Sequence, residues 1–195
     1  MKKVFTRLPS SSAIPLAVRR AQDMFVLMFL LRGLPFVDLA YLRKSDLRDN
    51  VITYRRRKTG RPLSVTLTPE ALELLKKYMN RDSHSPYLFS LLKSGEGTKE
   101  AYREYQLALR SFNQQLTLLG EVLGLNDKLS SYTARHTWLQ QPIIAKFIRV
   151  LSPKLWALVH QGDRDLSKPF RNKKIDEANN QIIDFVKHSI AGVVS

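Results

Sequence analysis

Apolar positions recur at helical spacing from Leu16 to Leu31, and Gly33 just beyond them reads as a C-terminal cap. Pro35 is placed to open a short second helix through Ala40 and Leu42, because a first helical turn does not need its missing N–H. The period then changes. Val51-Ile52-Thr53-Tyr54 is rich in β-formers, Lys58-Thr59-Gly60-Arg61 reads as a turn, and Leu63-Ser64-Val65-Thr66-Leu67 alternates with period two. With Asp46-Leu47 these segments predict one small antiparallel three-stranded sheet.

Thr68-Pro69-Glu70 starts the next helix with a capping hydroxyl, a proline and an early acid, and the pattern carries to about Met79. A loop containing Ser94-Gly95-Glu96-Gly97 precedes a long helix from about Lys99 to Leu123. Another helix is expected near Ser131. A last one, from about Asp176 to Ile190, repeats Ile182, Val186 and Ile190 every four residues as an apolar stripe. Residues 1–15 are polar, bear serine and proline, and read as a flexible lead-in to a single domain over 16–195. The fold class expected is α+β and mainly α-helical.

Composition sharpens the picture through charge. The 195 residues carry 32 Lys+Arg against 17 Asp+Glu, a net +15 at pH 7, which suits a polyanionic partner. No cysteine is present, so disulfides and thiolate metal sites are excluded, in keeping with a reducing compartment. The strongest apolar run, Met24 to Leu31, is too short to span a bilayer, and a cytoplasmic chain without membrane contact is expected. Asp163 and Asp165 lack partners at ligand spacing, and His84 and His188 lie far apart, so no metal or other cofactor is expected.

Arg55, Arg56, Arg57, Lys58 and Arg61 gather five cations on one hairpin and its turn. Such a tip can approach a DNA backbone or groove, and equally can be a solvated edge guarded against strand pairing. Further on stands Ser131-Tyr132-Thr133-Ala134-Arg135-His136-Thr137-Trp138. Arginine at position 135, on a helix whose first amides point at an anion, suits a phosphate undergoing displacement.

The string S-Y-T-A-R-H-T-W resembles the second signature box of the tyrosine recombinase (phage integrase) family, H-x-x-R-H-T, with Tyr132 where the family has its first histidine. The resemblance runs from about Leu16 to the C-terminus and is weakest over 139–167. It implies that Arg135 steadies the reacting phosphate. Tyr132 can donate a hydrogen bond to that phosphate but, with a pKa near 10, is a poor proton acceptor. His136 packs and orients its neighbours, and Trp138 belongs to the core. The family's basic hairpin carries a lysine at its turn, often followed by Thr-Gly, and Lys58 matches it; the resemblance gives that lysine the leaving 5′-oxygen. Gly33-Leu34-Pro35-Phe36-Val37-Asp38-Leu39 aligns with the first box, G-L-R-x-x-[DE]-[IL], whose arginine falls on Pro35. Arg32 is the nearby cation that could replace it, and is as readily a capping charge near a helix end.

The family's nucleophile is a tyrosine beyond the second box, about nine residues after a Gly-His pair. His160 stands near the expected histidine, yet the seven tyrosines are residues 41, 54, 78, 87, 102, 105 and 132, and none follows. Codons for Trp156 to Leu166, read one nucleotide later, can spell G-H-S-S-I-K-V-T-E-T-Y, the missing box. Codons for Leu139 to Phe147, read two nucleotides later, can spell A-T-T-Y-Y-C-E-I. Our hypothesis is that residues 139–167 are frame-altered; a gene whose codons cannot yield the tyrosine box in another frame ends it.

The resemblance thus implies site-specific DNA recombination and integration through a 3′-phosphotyrosine link, without metal or ATP, by relatives that serve mobile elements. For this chain it implies a catalytically impaired protein that retains double-stranded DNA binding. The alternative is a non-enzymatic basic nucleic-acid-binding module. Relatives usually carry an N-terminal helical domain that clamps the other side of the DNA; this chain starts at the catalytic domain. The Ile182/Val186/Ile190 helix resembles a tail that docks onto a neighbouring protomer, and is equally a helix packed on its own core.

Overall fold

The computed structural model describes residues 2–5, 14–126 and 128–139, with single positions at 177, 180, 181 and 184. Those four positions are helical and exposed, at the spacing of one helix face. The described residues are mainly helical with one small antiparallel sheet of three strands in the order β1-β2-β3.

Helix α1 (Leu16–Leu30) is the centre of the molecule. Val18, Ala21, Met24, Phe25, Leu27, Met28, Phe29 and Leu30 are all buried, and from Met24 onward the helix is apolar on nearly every face and must be covered all round. Helices α3 (Pro69–Tyr78), α4 (Lys99–Val122) and α5 (Ser131–Leu139) pack on it. A 3₁₀ turn over Lys2–Phe5 also docks there: Val4 is fully buried, the Phe5 ring meets Phe29 edge-on at 4.7 Å, and the Gln22 amide donates to the Val4 carbonyl at 2.8 Å. The lead-in expected over 1–15 therefore begins with an anchored turn. Two apolar side chains at its start bury enough surface to hold it.

Helices α3 and α4 begin as the sequence predicts. Thr68 Oγ1 accepts from the Ala71 amide at 3.4 Å, and Thr98 Oγ1 from the Ala101 amide at 3.1 Å. Pro35 departs slightly from expectation. It sits outside the short α2 (Phe36–Tyr41) as its N-cap, with ψ 147°, and the helix starts one residue later.

In the sheet, β1 (Leu47–Arg48), β2 (Val51–Arg55) and β3 (Pro62–Thr66) pair with Ile52 opposite Val65 and Tyr54 opposite Leu63. Ile52, Tyr54 and Val65 face the core, while Thr53 and Ser64 pair their hydroxyls at 3.2 Å on the outer face. Asp49 and Asn50 both take positive φ (48° and 60°), the conformation a two-residue hairpin turn needs. The β2–β3 turn closes with Gly60 N–H on the Arg56 carbonyl at 2.7 Å and carries Lys58 at its exposed tip. No helix among the described residues is long and apolar enough to cross a membrane.

Candidate functional site

Helix α1 ends in two consecutive left-handed residues, Arg32 (φ 60°) and Gly33 (φ 66°), where the sequence suggests Gly33 alone. The pair lets Gly33 N–H reach the Phe29 carbonyl at 3.3 Å and Leu34 N–H reach the Met28 carbonyl at 2.9 Å. The tight reversal opens a notch that α5 fills. A β-carbon on Gly33 would stand 3.0 Å from Arg135 Cα and 3.3 Å from Trp138 Cβ. Arg135 Nη1 donates to the Gly33 carbonyl at 3.2 Å, across 102 residues of sequence. The G-L segment and the R-H-T-W segment thus form one corner.

The β2–β3 hairpin is tied to this corner by Asp38, from the first turn of α2. Its Oδ1 accepts the Arg57 amide at 3.0 Å, and its Oδ2 faces Arg56 Nε at 3.8 Å. The Asp38 side chain is 1% exposed and that of Arg56 13%, so both are withdrawn from solvent. Burial raises the Asp38 pKa, outweighing the Arg57 amide and the nearby Arg56, Arg135 and Arg57 charges. Arg32 is held the opposite way: burial lowers its pKa to about 10, with only partial relief from Tyr54. The buried Tyr54 hydroxyl is pushed up, by burial first and by Asp38 second, against the pull of Arg56, Arg135 and Arg32. Three arginines, one acid and one phenol therefore share a poorly solvated corner.

The other residues singled out in the sequence lie around this corner. Tyr132 is 62% exposed, and its ring meets His136 edge-on at 4.1 Å. The two share the solvent face of α5, opposite the buried Ala134 and Trp138, while Arg135 lies between the two faces. His136 packs on Tyr132 and not on the interior. The helix start is less open to an anion than the sequence suggests. The Ser131 amide is taken by Asn113 Oδ1 at 2.8 Å, and the Thr133 amide by the Ser130 carbonyl at 3.0 Å. His160 and the Ile182/Val186/Ile190 stripe lie outside the described residues, as does nearly all of 139–167.

The hairpin cations divide into two groups. Arg56 turns inward to Asp38. Arg57 lies flat over the Tyr41 ring, 3.7 Å from its centroid, and pairs with Glu96. Arg55 and Lys58 are exposed, with Arg55 Nη1 also on the Gly60 carbonyl at 3.2 Å, and Arg61 is half-buried. Glu96, from the Ser/Gly loop, also pairs with Arg43. The sequence flagged neither Glu96 nor Asp38 as a partner for these arginines. An acid set between glycines in a loop, and an acid in the first turn of a short helix, were the available signals. Among the described residues no three of His, Cys, Asp or Glu gather as a metal site.

No family profile matches the chain, and no curated protein matches it. Among solved structures the chain is similar to the XerA recombinase, with 18% identity and a TM-score of 0.47 over 81% of this chain and 63% of that one. The chain thus spans less than two thirds of that protein's length.

Proposed function

We propose that this chain is a double-stranded DNA-binding protein built as a tyrosine-recombinase catalytic domain and lacking strand-cleaving activity. The observation that carries the proposal is the meeting of Arg135 with the Arg32–Gly33 turn, 102 residues apart in sequence. Two segments that resemble recombinase boxes, far apart in the sequence, share one corner with the base of the basic hairpin. Arg32 and Asp38 are held there against their burial cost, and Arg32 in a left-handed conformation as well. Perturbed charges and backbone strain of this kind concentrate at functional sites.

In this reading Arg135 and Arg32 hold the non-bridging oxygens of a backbone phosphate, as guanidinium forks do. Tyr132 donates to the same phosphodiester from the outer face of α5. Lys58 reaches the DNA from the hairpin tip, with Arg55 and Arg61 on its flanks. In an intact relative the tyrosine oxygen would attack phosphorus and release the 5′-oxygen, with Lys58 supplying the proton. None of the seven tyrosines follows the arginine box, so the attack step is missing while the phosphate grip remains. The protein would act on DNA in the cytoplasm.

A duplex with a nicked suicide site tests this reading. Retention of the duplex in a salt-dependent complex, with no covalent adduct on a denaturing gel, is expected. An adduct would refute the loss of cleavage; no binding at low salt would refute the DNA reading altogether. Stronger binding to structured RNA than to duplex would favour the non-enzymatic basic module.

A further inference from the structure

We propose that Arg43 and Arg57 form an additional phosphodiester site, which the carboxylate of Glu96 occupies until DNA displaces it. The inference rests on the duplex-binding reading above and names a separate contact within it.

The geometry is that of one anion shared by two forks. Arg43 Nη2 holds Glu96 Oε2, and Arg57 Nη1 holds Glu96 Oε1. A phosphodiester offers the same pair of oxygens to the same two donors. Both arginines have backbones fixed without Glu96. Arg57 rests on the Tyr41 ring, and its amide is fixed to Asp38. The Arg43 amide is held by Asp46 Oδ2 at 2.8 Å, and its backbone bridges to Tyr87. The Arg57 fork is therefore preorganised, the Arg43 fork is rooted beside it, and the anion between them is the replaceable part.

Charge points the same way. The cleft around this pair, about 470 Å³, is lined by Arg43, Arg55 and Arg57 and by Asp38, Asp46 and Glu96. Three cations against three carboxylates make it formally neutral; with Glu96 swung out it becomes +1. Asp38 and Asp46 accept the backbone amides of Arg57 and Arg43, so of the three acids it is Glu96 that answers the two guanidiniums. Burial raises the Glu96 pKa, but the hydrogen bonds from Arg43 and Arg57 prevail and hold it below the ordinary value.

The loop is built for the exchange. Ser94 is pinned by Glu104, through its amide at 3.1 Å and its hydroxyl at 2.8 Å, and its carbonyl accepts from Tyr87 Oη at 2.8 Å. Thr98 caps α4. Between these anchors Glu96 stands between Gly95 and Gly97, the latter at φ 88°. The Gly95 carbonyl is itself held by Thr98 Oγ1 at 2.7 Å, so only Glu96 and Gly97 need move. The side chains of Arg43, Arg57 and Glu96 are 48%, 33% and 35% exposed, so a polyanion can reach them without opening the core.

The test is the salt dependence of full-chain binding to a fluorescent duplex, read by anisotropy. Glu96→Gln should bind more tightly than wild type with a similar log–log salt slope, because the competing carboxylate is gone while the phosphate contact is made in both. Glu96→Ala should do the same. Glu100→Gln, an exposed acid at the start of α4, should leave the affinity unchanged. Arg43→Ala should flatten the slope by about 0.9, so that raising salt from about 50 to about 200 mM weakens wild type roughly 3.5-fold more than the variant. Arg43→Ala added to Glu96→Gln should abolish the gain in affinity. A wild-type chain that does not bind duplex sinks both this inference and the reading beneath it. Wild-type binding with no gain in Glu96→Gln sinks the inference alone. So does an equal gain in Glu100→Gln, or a slope that loss of Arg43 leaves unchanged.

Discussion

Gly33 and Gly60 share nearly the same positive φ, 66° and 68°, yet differ in what surrounds them. An added β-carbon at Gly60 meets nothing within 4 Å, whereas at Gly33 it meets Arg135 Cα at 3.0 Å, Trp138 Cβ at 3.3 Å and Arg135 Cγ at 3.4 Å. Gly60→Ala therefore measures the left-handed penalty alone, about 1–2 kcal/mol. Gly33→Ala carries that penalty plus the overlap. The obstructing atoms belong to helix backbone and a β-carbon, which cannot rotate away, so α5 must move as a unit. α5 is fixed by Ala134 and Trp138, 0% and 3% exposed, and overpacking of such a contact costs about 1–3 kcal/mol. Gly33→Ala should thus destabilise by about 2–5 kcal/mol, a large share of a total near 5–15 kcal/mol. Urea unfolding followed by circular dichroism gives both values with the dihedral term common to the two. Equal losses would refute the close seating of α5 on the turn, and with it the corner that joins Arg32 to Arg135.

Other consequences are independent of that contact. Burial holds the Asp38 pKa above its unfolded value, so its stabilising contribution is complete below about pH 4 and is lost as pH rises through the folded pKa. Wild type should therefore lose stability relative to Asp38→Asn as pH rises above about 4 in paired urea titrations; a relative gain would reverse the sign. Asp38→Ala, which removes the acceptor of the Arg57 amide, should cost about 1–3 kcal/mol more than Asp38→Asn in the same melts. Trp138→Ala should cost about 3–5 kcal/mol, because the indole is buried between α5 and α1; a loss under about 1 kcal/mol would place it outside the core. Arg55→Ala with Lys58→Ala should flatten the salt slope of duplex binding by about 1–2, and an unchanged slope would remove the hairpin tip from the DNA contact.

What could be read from the sequence, and what could not, follows the range of the interactions. Thr68 announces its helix because a capping hydroxyl acts within three residues, and the alternation around Ile52 and Val65 shows the sheet because pleating is local. The apolar second half of α1, Met24 to Leu30, predicts its own burial. The partners of the hairpin arginines were hidden. Asp38 is 18 or 19 residues from Arg56 and Arg57, and Glu96 is 39 from Arg57 and 53 from Arg43, so no periodicity links them. A run of five cations reads as one uniform basic patch. Folding divides it into Arg56, neutralised inside, Arg57, held by a ring and a carboxylate, and a tip that carries Lys58 outward. That division places fixed guanidiniums at the hairpin base and an exposed lysine at its end. On the proposed duplex-binding reading, a grip built this way would separate positioning from reach: the base would set where the hairpin points, and the tip would supply the contact that salt can dissolve.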